Sequence, residues 1–183
     1  VGGRPKPITM IPYYAWCHRG ANEMVVWIPQ SPNLAVVPPL PTIAGTSKIS
    51  ASHTWRGDDG AAVNDQIDPA HSNDHDIPRF TWWDHRGTSE WIQYDFAKPA
   101  TVSKVDVYWF DDTGRGQCRV PQSWKLLYRD GDQWKPVETS AEFSTDKDRF
   151  IEVEFIPVKT DALRIEVQLH PNFSGGILEW RVK

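Results

Sequence analysis

The segment FTWWDHRGTSEWIQYDF combines aromatic, basic and acidic residues, a combination that could bind a sugar. A flat aromatic ring packs on the apolar face of a sugar, and planar charged groups bind its hydroxyls. Trp83, Asp84 and Arg86 lie in the loop-like half of the segment, outside the apolar alternation of the second half. We therefore predict that these three residues face a ligand.

The second half of that segment, WIQYDF, alternates as a β-strand does. Successive side chains of a strand point to opposite faces, so the inward face must be filled by core residues. We assign Trp91, the first residue of this strand, to the inward face. Trp82 is also expected to face the core, because a β-sandwich interior can accommodate most of the ten tryptophans in the chain.

Other loop-like segments repeat the aromatic-plus-charge pattern. YWFDDTGRGQCRVP places acids and an arginine among glycines, HPNFSGG places an amide beside an aromatic ring, and a Trp-Arg pair precedes GDDG. Isolated surface ion pairs contribute little to stability, so the repetition of this pattern on loops favours ligand binding. The further ligand-binding candidates are Trp55, Arg56, Asp111, Asp112, Arg115, Asn172 and Phe173.

Acids on predicted loops raise the alternative of a small glycosidase, which uses a pair of carboxyl groups. The candidates are Asp58, Asp59, Asp84, Asp111 and Asp112. Asp is also common in turns for a local reason, because its carboxylate accepts hydrogen bonds from the backbone two residues on. The sequence does not give the separation between carboxyl groups, so catalysis is kept as an alternative.

Histidines in HSNDHDIPRF raise the question of a zinc site. His71 and His75 are four residues apart, a spacing that aligns two ligands only on a helix. Asn73, Asp74 and Pro78 are unfavourable in a helix at this point. We therefore expect a polar loop here rather than a zinc site.

The composition excludes some classes of function. The 183 residues carry a formal net charge of -4, whereas nucleic-acid binding requires a clustered basic surface. No apolar run reaches the ~18 residues of a membrane span. The two cysteines, Cys17 and Cys118, are too few for a disulfide framework. Either one long-range disulfide or two buried thiols would fit them.

A proline-rich segment divides the chain. Residues 8–29 read as two short strands around a polar turn, a hairpin that must pack on other structure to be stable. Prolines between residues 29 and 41 favour an extended linker. From Lys48 onward, short alternating segments predict an antiparallel β-sandwich or jelly roll. We predict a terminal hairpin and linker in residues 1–46 and one all-β domain in residues 47–183.

One long segment of the predicted domain, residues 55–79, has no strand period and is rich in Asp, Asn, Gly and His. A loop of this length in a compact domain is usually functional or held in place by a ligand. We therefore expect it to contribute to a binding site.

Several motifs of this domain resemble those of a known family. A loop Asp, a Thr-x-Trp, a Trp-Ile-x-x-Asp strand and a closing Gly-Ile-x-Glu strand occur in VNDQID, FTWWDHRGTSEWIQYDF and GGILEWRV. Together they resemble the discoidin-like, galactose-binding-like fold of coagulation-factor type C domains and carbohydrate-binding module family 32. The resemblance implies a β-sandwich that binds carbohydrate. The chain departs from the family pattern at Asp65-Gln66, where Gly usually follows the Asp, and in an insertion at residues 67–80.

The same resemblance implies a structural calcium ion, because domains of this kind commonly hold one between the first loop and the last strand. The residues at the matching positions are Asp65, Thr81 and Glu179. Calcium takes six to eight oxygen ligands, so loop carbonyls would supply the remainder. A local interpretation of the same residues is that Asp65 caps a turn and Glu179 is a solvated strand residue.

The first segment, IPYYAWCHRGANEMVVWIP, resembles the last hairpin of glycoside hydrolase family 127, the β-L-arabinofuranosidase-like enzymes. In that family a catalytic helical barrel precedes a β-sandwich that ends in this kind of sequence. The nucleophilic cysteine and the zinc-binding cysteine cluster of the family have no counterpart in a chain with two cysteines. The resemblance implies the C-terminal piece of a larger hydrolase, secreted to the periplasm or the cell surface.

We predict a non-catalytic carbohydrate-binding accessory module of a secreted bacterial glycoside hydrolase. Its partners would be a glycan or polysaccharide and the catalytic domain of the same polypeptide. The first alternative is a purely structural module that packs on the catalytic domain. The second is the small glycosidase that uses loop carboxylates.

Overall fold

The computed structural model describes residues 41–183, so the predicted hairpin, most of the linker prolines and Cys17 lie outside the described residues. The boundary predicted after residue 46 stays a prediction. The strands are β1 (Lys48–Ala51), β2 (Phe80–Thr81), β3 (Ser89–Phe110), β4 (Ser123–Asp130), β5 (Gln133–Pro136), β6 (Ile151–Gln168) and β7 (Gly176–Val182), with short 3-10 helices at Ala44–Thr46 and Gly60–Asn64. In this part of the chain, no helix is long and apolar enough to cross a bilayer.

The two longest strands, β3 and β6, run through both layers of the structure. The first half of β3 pairs with β1 and with the second half of β6, whereas its second half pairs with β7 and with the first half of β6. The register shifts between Asp95 and Ala100, where β3 passes from one layer to the other. β4 and β5 extend the first layer and β2 extends the second. These antiparallel pairings confirm the predicted β-sandwich.

Aromatic side chains from the two layers meet in the core. The Tyr94 ring stacks on the Trp180 ring with centroids 3.9 Å apart, and Trp109 contacts Trp124 edge to face at 5.3 Å. Trp82 is fully buried in the same cluster, which confirms its prediction as a core residue. Burying a large apolar side chain contributes about 1.5–3 kcal/mol, so these rings hold the two layers together.

The prediction that Trp91 points inward is wrong. Ile92 and Tyr94 are fully buried, and because side chains alternate along β3, Trp91 lies on the opposite face. The ring is half-buried and packs against the Arg164 guanidinium, which lies 4.5 Å from the ring centroid. Trp91 therefore belongs to the outer face of the first layer.

The loop of residues 55–79 contains no strand in the structure, as predicted, and part of it packs on the second layer. Ile77 contacts a small buried cluster formed by Tyr108, Phe110, Cys118 and Leu178. The Ser72 carbonyl accepts from the Asp111 amide at 2.9 Å, and the Ser72 amide donates to Asp148 Oδ1 at 2.7 Å. These contacts fix the loop beside the end of β3.

Candidate functional site

Aromatic and polar side chains from three loops line a cleft of about 250 Å³, called here the first cleft. The loop between β1 and β2 supplies Trp55 and Arg79, the segment after β2 supplies Trp83, and the loop after β3 supplies Asp112 and Gln117. Thr81, Phe110, Gly116 and Cys118 complete the lining. The cleft therefore joins two half-buried tryptophans to charged and amide side chains, the combination that the sequence indicates for sugar binding.

The backbone at Trp83 is held in place through two stacked histidines. The His53 Nε2 atom lies 2.7 Å from the Trp83 carbonyl oxygen, and the His53 ring stacks on the His85 ring with centroids 3.9 Å apart. His85 Nδ1 in turn lies 2.6 Å from Oε1 of the buried Glu90. The Trp83 backbone is therefore tied to the start of β3 through His53, His85 and Glu90.

Glu90 is the anchor of this arrangement. Its carboxylate accepts hydrogen bonds from the hydroxyls of Ser52 and Thr88 in addition to its contact with His85. Burial raises the pKa of Glu90, but these three contacts outweigh it and hold the pKa below its usual value. A charged carboxylate is thus stabilised beneath the loop that carries Trp83.

Arg79 is the main residue of the first cleft that sequence reasoning missed. Its guanidinium lies over the Phe110 ring, 5.3 Å from the centroid, while Nη1 lies 3.3 Å from His75 Nδ1 and Nε lies 3.8 Å from Asp58 Oδ1. Burial and the positive charges of Arg115 and Arg79 lower the pKa of His75, which favours a neutral imidazole. Arginine carries five N–H donors, so Arg79 retains donors for a ligand.

Thr81, a predicted metal ligand, serves the first cleft in the structure. Its hydroxyl donates to Asp58 Oδ2 at 2.5 Å, and its carbonyl accepts from the Trp55 amide at 3.2 Å. Burial raises the pKa of Asp58, although the bond from Thr81 and the charge of Arg79 lower it in part. Thr81 thereby fixes the backbone that presents Trp55.

Asp111 and Asp112 are buried and bind the backbone of their own loop. Asp111 Oδ1 accepts from the Thr113 amide at 3.0 Å, and Oδ2 accepts from the Val120 amide at 3.1 Å. Asp112 Oδ1 accepts from the Cys118 amide at 2.8 Å. The two carboxylates therefore close the loop after β3, a structural role in addition to their positions beside the clefts.

A second cleft, of about 510 Å³, is lined in part by the same loop. Its aromatic residue is Phe173, whose ring lies under the Arg119 guanidinium at 4.3 Å from the centroid. The lining residues are Asp111, Arg119, Val120, Thr145, Asp146, Lys147, His170 and Phe173. The structure thus divides the predicted ligand-binding residues, with Trp55, Trp83 and Asp112 in the first cleft and Asp111 and Phe173 in the second.

The other predicted ligand-binding residues are exposed and lie outside the two sets of described lining residues. They are Arg56, Asp84, Arg86, Arg115 and Asn172. Arg86 contacts the site indirectly, because its guanidinium lies 4.9 Å from the centroid of the Trp83 ring. The structure thus places these five at the surface around the clefts.

Two of the predicted metal ligands lie close together. Burial and the neighbouring Asp65 carboxylate raise the pKa of Glu179 to about 8, and burial also raises the pKa of Asp65. Glu179 Oε1 lies 3.7 Å from Arg181 Nε, and Oε2 has no hydrogen-bond partner among the described residues. A buried carboxylate oxygen of this kind, next to a second carboxylate, fits the oxygen ligands that calcium prefers.

The remaining candidate for catalysis that has a structural partner is Asp59. Asp59 caps the 3-10 helix Gly60–Asn64 by accepting a hydrogen bond from the Ala61 amide at 2.9 Å. Within residues 41–183, no three His, Cys, Asp or Glu side chains are grouped as in a metal centre. Cys118 is buried and has no disulfide partner among residues 41–183, and burial together with the charges of Asp112 and Asp58 raises the pKa of its thiol to about 12.

The fold is a discoidin-like β-sandwich, and comparisons with protein families agree. The model described as F5/8 type C domain matches residues 45–180, so the chain belongs to this family. The model described as Glycoside hydrolase family 127 C-terminal domain matches residues 4–29. Both resemblances found in the sequence are thereby confirmed. No curated protein matches the chain.

Solved structures share the fold at low sequence identity. The chain is similar to a structure of the β-galactosidase BgaA of Streptococcus pneumoniae, with a TM-score of 0.60 and 20% identity over 80% of this chain and 93% of that chain. It is similar to the family 32 carbohydrate-binding module of C. perfringens NanJ in complex with galactose, with a TM-score of 0.57 and 13% identity over 76% and 95%. It is also similar to chitosan-binding module 1 of a Paenibacillus sp. IK-5 chitosanase/glucanase, with a TM-score of 0.57 and 15% identity over 78% of this chain and 98% of that chain.

Proposed function

We propose that this chain is a non-catalytic carbohydrate-binding accessory module of a secreted bacterial glycoside hydrolase. The observation that carries the proposal is the first cleft, where half-buried Trp55 and Trp83 lie beside the Arg79 guanidinium and the Asp112 carboxylate. Aromatic faces with a few polar groups of fixed position are characteristic of small-ligand sites. A sugar ring offers the matching surfaces, an apolar face and a rim of hydroxyls.

The size of the first cleft favours one sugar unit. Its volume of about 250 Å³ is below the ~300–1,000 Å³ of sites for drug-sized ligands. Galactose is the first probe, because the similar C. perfringens module is in complex with that sugar and the chain shares its family fold. A terminal unit of a longer glycan would bind in the same way.

The experiment is calorimetric titration of the parent chain and of two tryptophan variants with galactose and with the glycans that an array identifies. Trp83→Ala should weaken binding at least about tenfold, because loss of an aromatic anchor commonly costs ~2 kcal/mol or more. Trp134→Ala is the matched control, since Trp134 is half-buried on β5 and packs on Arg164 at 4.2 Å from the centroid. Equal weakening in both variants, or a parent that binds no glycan, would overturn the proposal.

The accessory role would act through proximity. A module that holds a glycan raises the effective concentration of substrate at a linked catalytic domain. The match of residues 4–29 to the family 127 C-terminal model supports a catalytic domain of the same polypeptide as the partner. Secretion to the periplasm or cell surface belongs to the same proposal, because hydrolases with such modules act on glycans outside the cytoplasm.

The family 127 match also favours one alternative, a structural module that packs on the catalytic domain without binding sugar. In that case the two exposed tryptophan faces of the first cleft would contact the partner domain. The discriminating measurement is binding of the separately expressed upstream polypeptide by the parent chain and by Trp83→Ala. Loss of that binding in the variant, with no response on the glycan array, would favour the structural role.

The pair formed by Asp65 and Glu179 is proposed to hold a structural calcium ion. The support is the orphaned Glu179 Oε2 and the proximity of the two carboxylates, whereas Thr81 has other partners. Extracellular calcium sites have dissociation constants of ~0.1–1 mM, so about 5 mM calcium should stabilise the domain by roughly 1–2 kcal/mol. Glu179→Gln should remove this gain, and Glu154→Gln, an exposed change on β6, should retain it. A parent melting point that is equal in calcium and in chelator would contradict the proposal.

A further inference from the structure

The second cleft has a fixed wall formed by residues 144–148. At one end Trp124 Nε1 donates to the Ser144 carbonyl at 2.8 Å. At the other end Ser72 and Asp148 exchange two hydrogen bonds, of 2.7 and 2.8 Å. Because both ends of the segment are tied down, the lining residues between them are held in position. The cleft is therefore preorganised by contacts that the first cleft does not use.

The facing side of the second cleft presents Arg119. Its guanidinium stacks on Phe173, and Nη1 donates to the carbonyls of Cys118 at 2.6 Å and Gly116 at 3.2 Å. Nη1 also lies 3.4 Å from Asp112 Oδ1. Among the described residues, Nη1 is the only nitrogen of the Arg119 guanidinium that donates a hydrogen bond. The guanidinium is thus oriented, and its other N–H donors are left for a ligand.

Hydrogen-bond donors predominate among the free polar groups of this cleft. Lys147 is half-exposed, with its Nζ 3.7 Å from Asp111 Oδ1, and His170 lines the same cleft. Asp111 is buried and already accepts from backbone amides. Asp146 also lines the cleft, but its side chain is 61% exposed and its Oδ2 atom lies 3.9 Å from Arg149 Nη1. Both acids therefore already have partners, while Arg119 keeps N–H donors beyond Nη1 and Lys147 reaches the cleft with a half-exposed side chain.

Neighbouring residues of the loop after β3 line the two clefts. Asp111 lines the second cleft and Asp112 the first, and Arg119 and Cys118 divide in the same way. Consecutive Cα atoms are about 3.8 Å apart, so these neighbouring lining residues bring the edges of the two clefts together at this loop. A glycan with one unit in each cleft would cross this shared edge.

We propose that the second cleft binds a uronic acid unit linked to the sugar in the first cleft, so that the module selects acidic glycans. This inference rests on the proposed function. The carboxylate of the uronic acid would accept charge-assisted hydrogen bonds from Arg119 and Lys147, and the Phe173 ring edge would contact the apolar part of the sugar. Charge-assisted hydrogen bonds are roughly twice as strong as neutral ones, which gives the site its selectivity.

The experiment compares matched ligands on the full chain by calorimetry. The probes are galactose, α-1,4-digalacturonate and its carboxyl-reduced form, with glucuronate-containing disaccharides and their reduced forms as a second series. The acidic disaccharides should bind about tenfold more tightly than the reduced ones. The preference should decrease as salt is raised, because it depends on exposed charges. Equal affinities for acidic and reduced ligands in both series would overturn the inference.

A variant pair tests the assignment to the second cleft. Lys147→Gln should reduce the preference for acidic ligands several-fold, whereas Lys125→Gln, whose side chain on β4 is 58% exposed and pairs with Glu166 away from both clefts, should keep it. The Lys125→Gln control should bind galactose as the parent does. If both variants lost the preference for acidic ligands equally, the preference would be a general effect of net charge, and the inference would be overturned. Galactose binding without any acid preference would refute this inference alone, and a parent that binds none of the probes would refute the proposed function with it.

Discussion

Truncation of three tryptophans in one short segment should separate a core residue from a cleft residue and a surface residue. Trp82 is fully buried, packs edge to face on Phe80 at 5.1 Å, and donates from Nε1 to the Trp91 carbonyl at 3.3 Å. Truncating a buried tryptophan costs roughly 3–5 kcal/mol. Because a domain has only about 5–15 kcal/mol of stability, Trp82→Ala should leave the domain marginal or unfolded.

The same change at Trp83 and Trp91 should cost much less. Trp83 is half-buried against the small cluster of the second layer, and Trp91 is half-buried on the outer face of the first. Partial burial of a ring together with a cation–π contact to Arg86 or Arg164 indicates a loss of about 1–2 kcal/mol for either variant. Only Trp83→Ala should also lose glycan binding.

Thermal and urea denaturation of the three variants give the measurement. For a chain of this size, 1 kcal/mol lowers the melting temperature by about 2–4 °C. The Trp82→Ala melting point should therefore fall on the order of 10 °C, and those of the other variants by about 3–6 °C. If Trp91→Ala were as costly as Trp82→Ala, the outward orientation of Trp91 would be refuted. A Trp83→Ala variant that unfolds as readily would move Trp83 from the cleft to the core.

Three further predictions concern the pH dependence due to Glu90, the reactivity of Cys118 and the hydrolysis of glycosides. Hydrogen bonds outweigh burial and lower the pKa of Glu90 from 4.5, so the charged carboxylate stabilises the fold above that pH and this stabilisation is lost as the pH falls below it. Between about pH 6 and 3, the melting point of Glu90→Gln should therefore depend less on pH than that of the parent. Equal pH dependence in the two proteins would contradict this. Cys118 in a Cys17→Ser background should resist alkylation until denaturant unfolds the domain, because burial raises its pKa to about 12; rapid labelling of the native protein would show an accessible thiol. The chain should release no product from aryl glycosides, and turnover that Asp84→Asn or Asp112→Asn abolishes would restore the glycosidase alternative.

Strand positions were predictable from the sequence because the alternation of apolar residues is a local property of each strand. What the alternation did not show is continuity, since the predicted strand WIQYDF and the alternating residues after Pro99 form the single strand β3. The phase of β3 was nevertheless readable. Trp91 shares its parity with Gln93 and Asp95, whereas Ile92 and Tyr94 alternate with them and fill the core. Position in the alternation, rather than the size of the ring, therefore determines that Trp91 faces outward.

The candidate site was less predictable, because loop residues are brought together by contacts far apart in the sequence. Arg79 reaches the first cleft by packing on Phe110, and Lys147 reaches the second through the bonds between Ser72 and Asp148. No local pattern marks either residue. Arg115 was predicted to bind a ligand because it lies near aromatic residues in the sequence, but it is exposed at the surface. Tertiary contacts, rather than sequence neighbours, therefore determine which charges meet which rings.

Asp111 and Asp112 show why loop acids are ambiguous from sequence alone. An Asp that binds a ligand and an Asp that closes a turn look alike in sequence. Both are acceptors that lie in loops, close to glycines and to backbone amides. Here both residues bind backbone amides of the loop after β3 and also lie beside the two clefts. Their hydrogen bonds shape both binding surfaces from one loop. A change at either carboxylate should therefore affect both clefts, whereas changes at Trp83 or Lys147 should affect one.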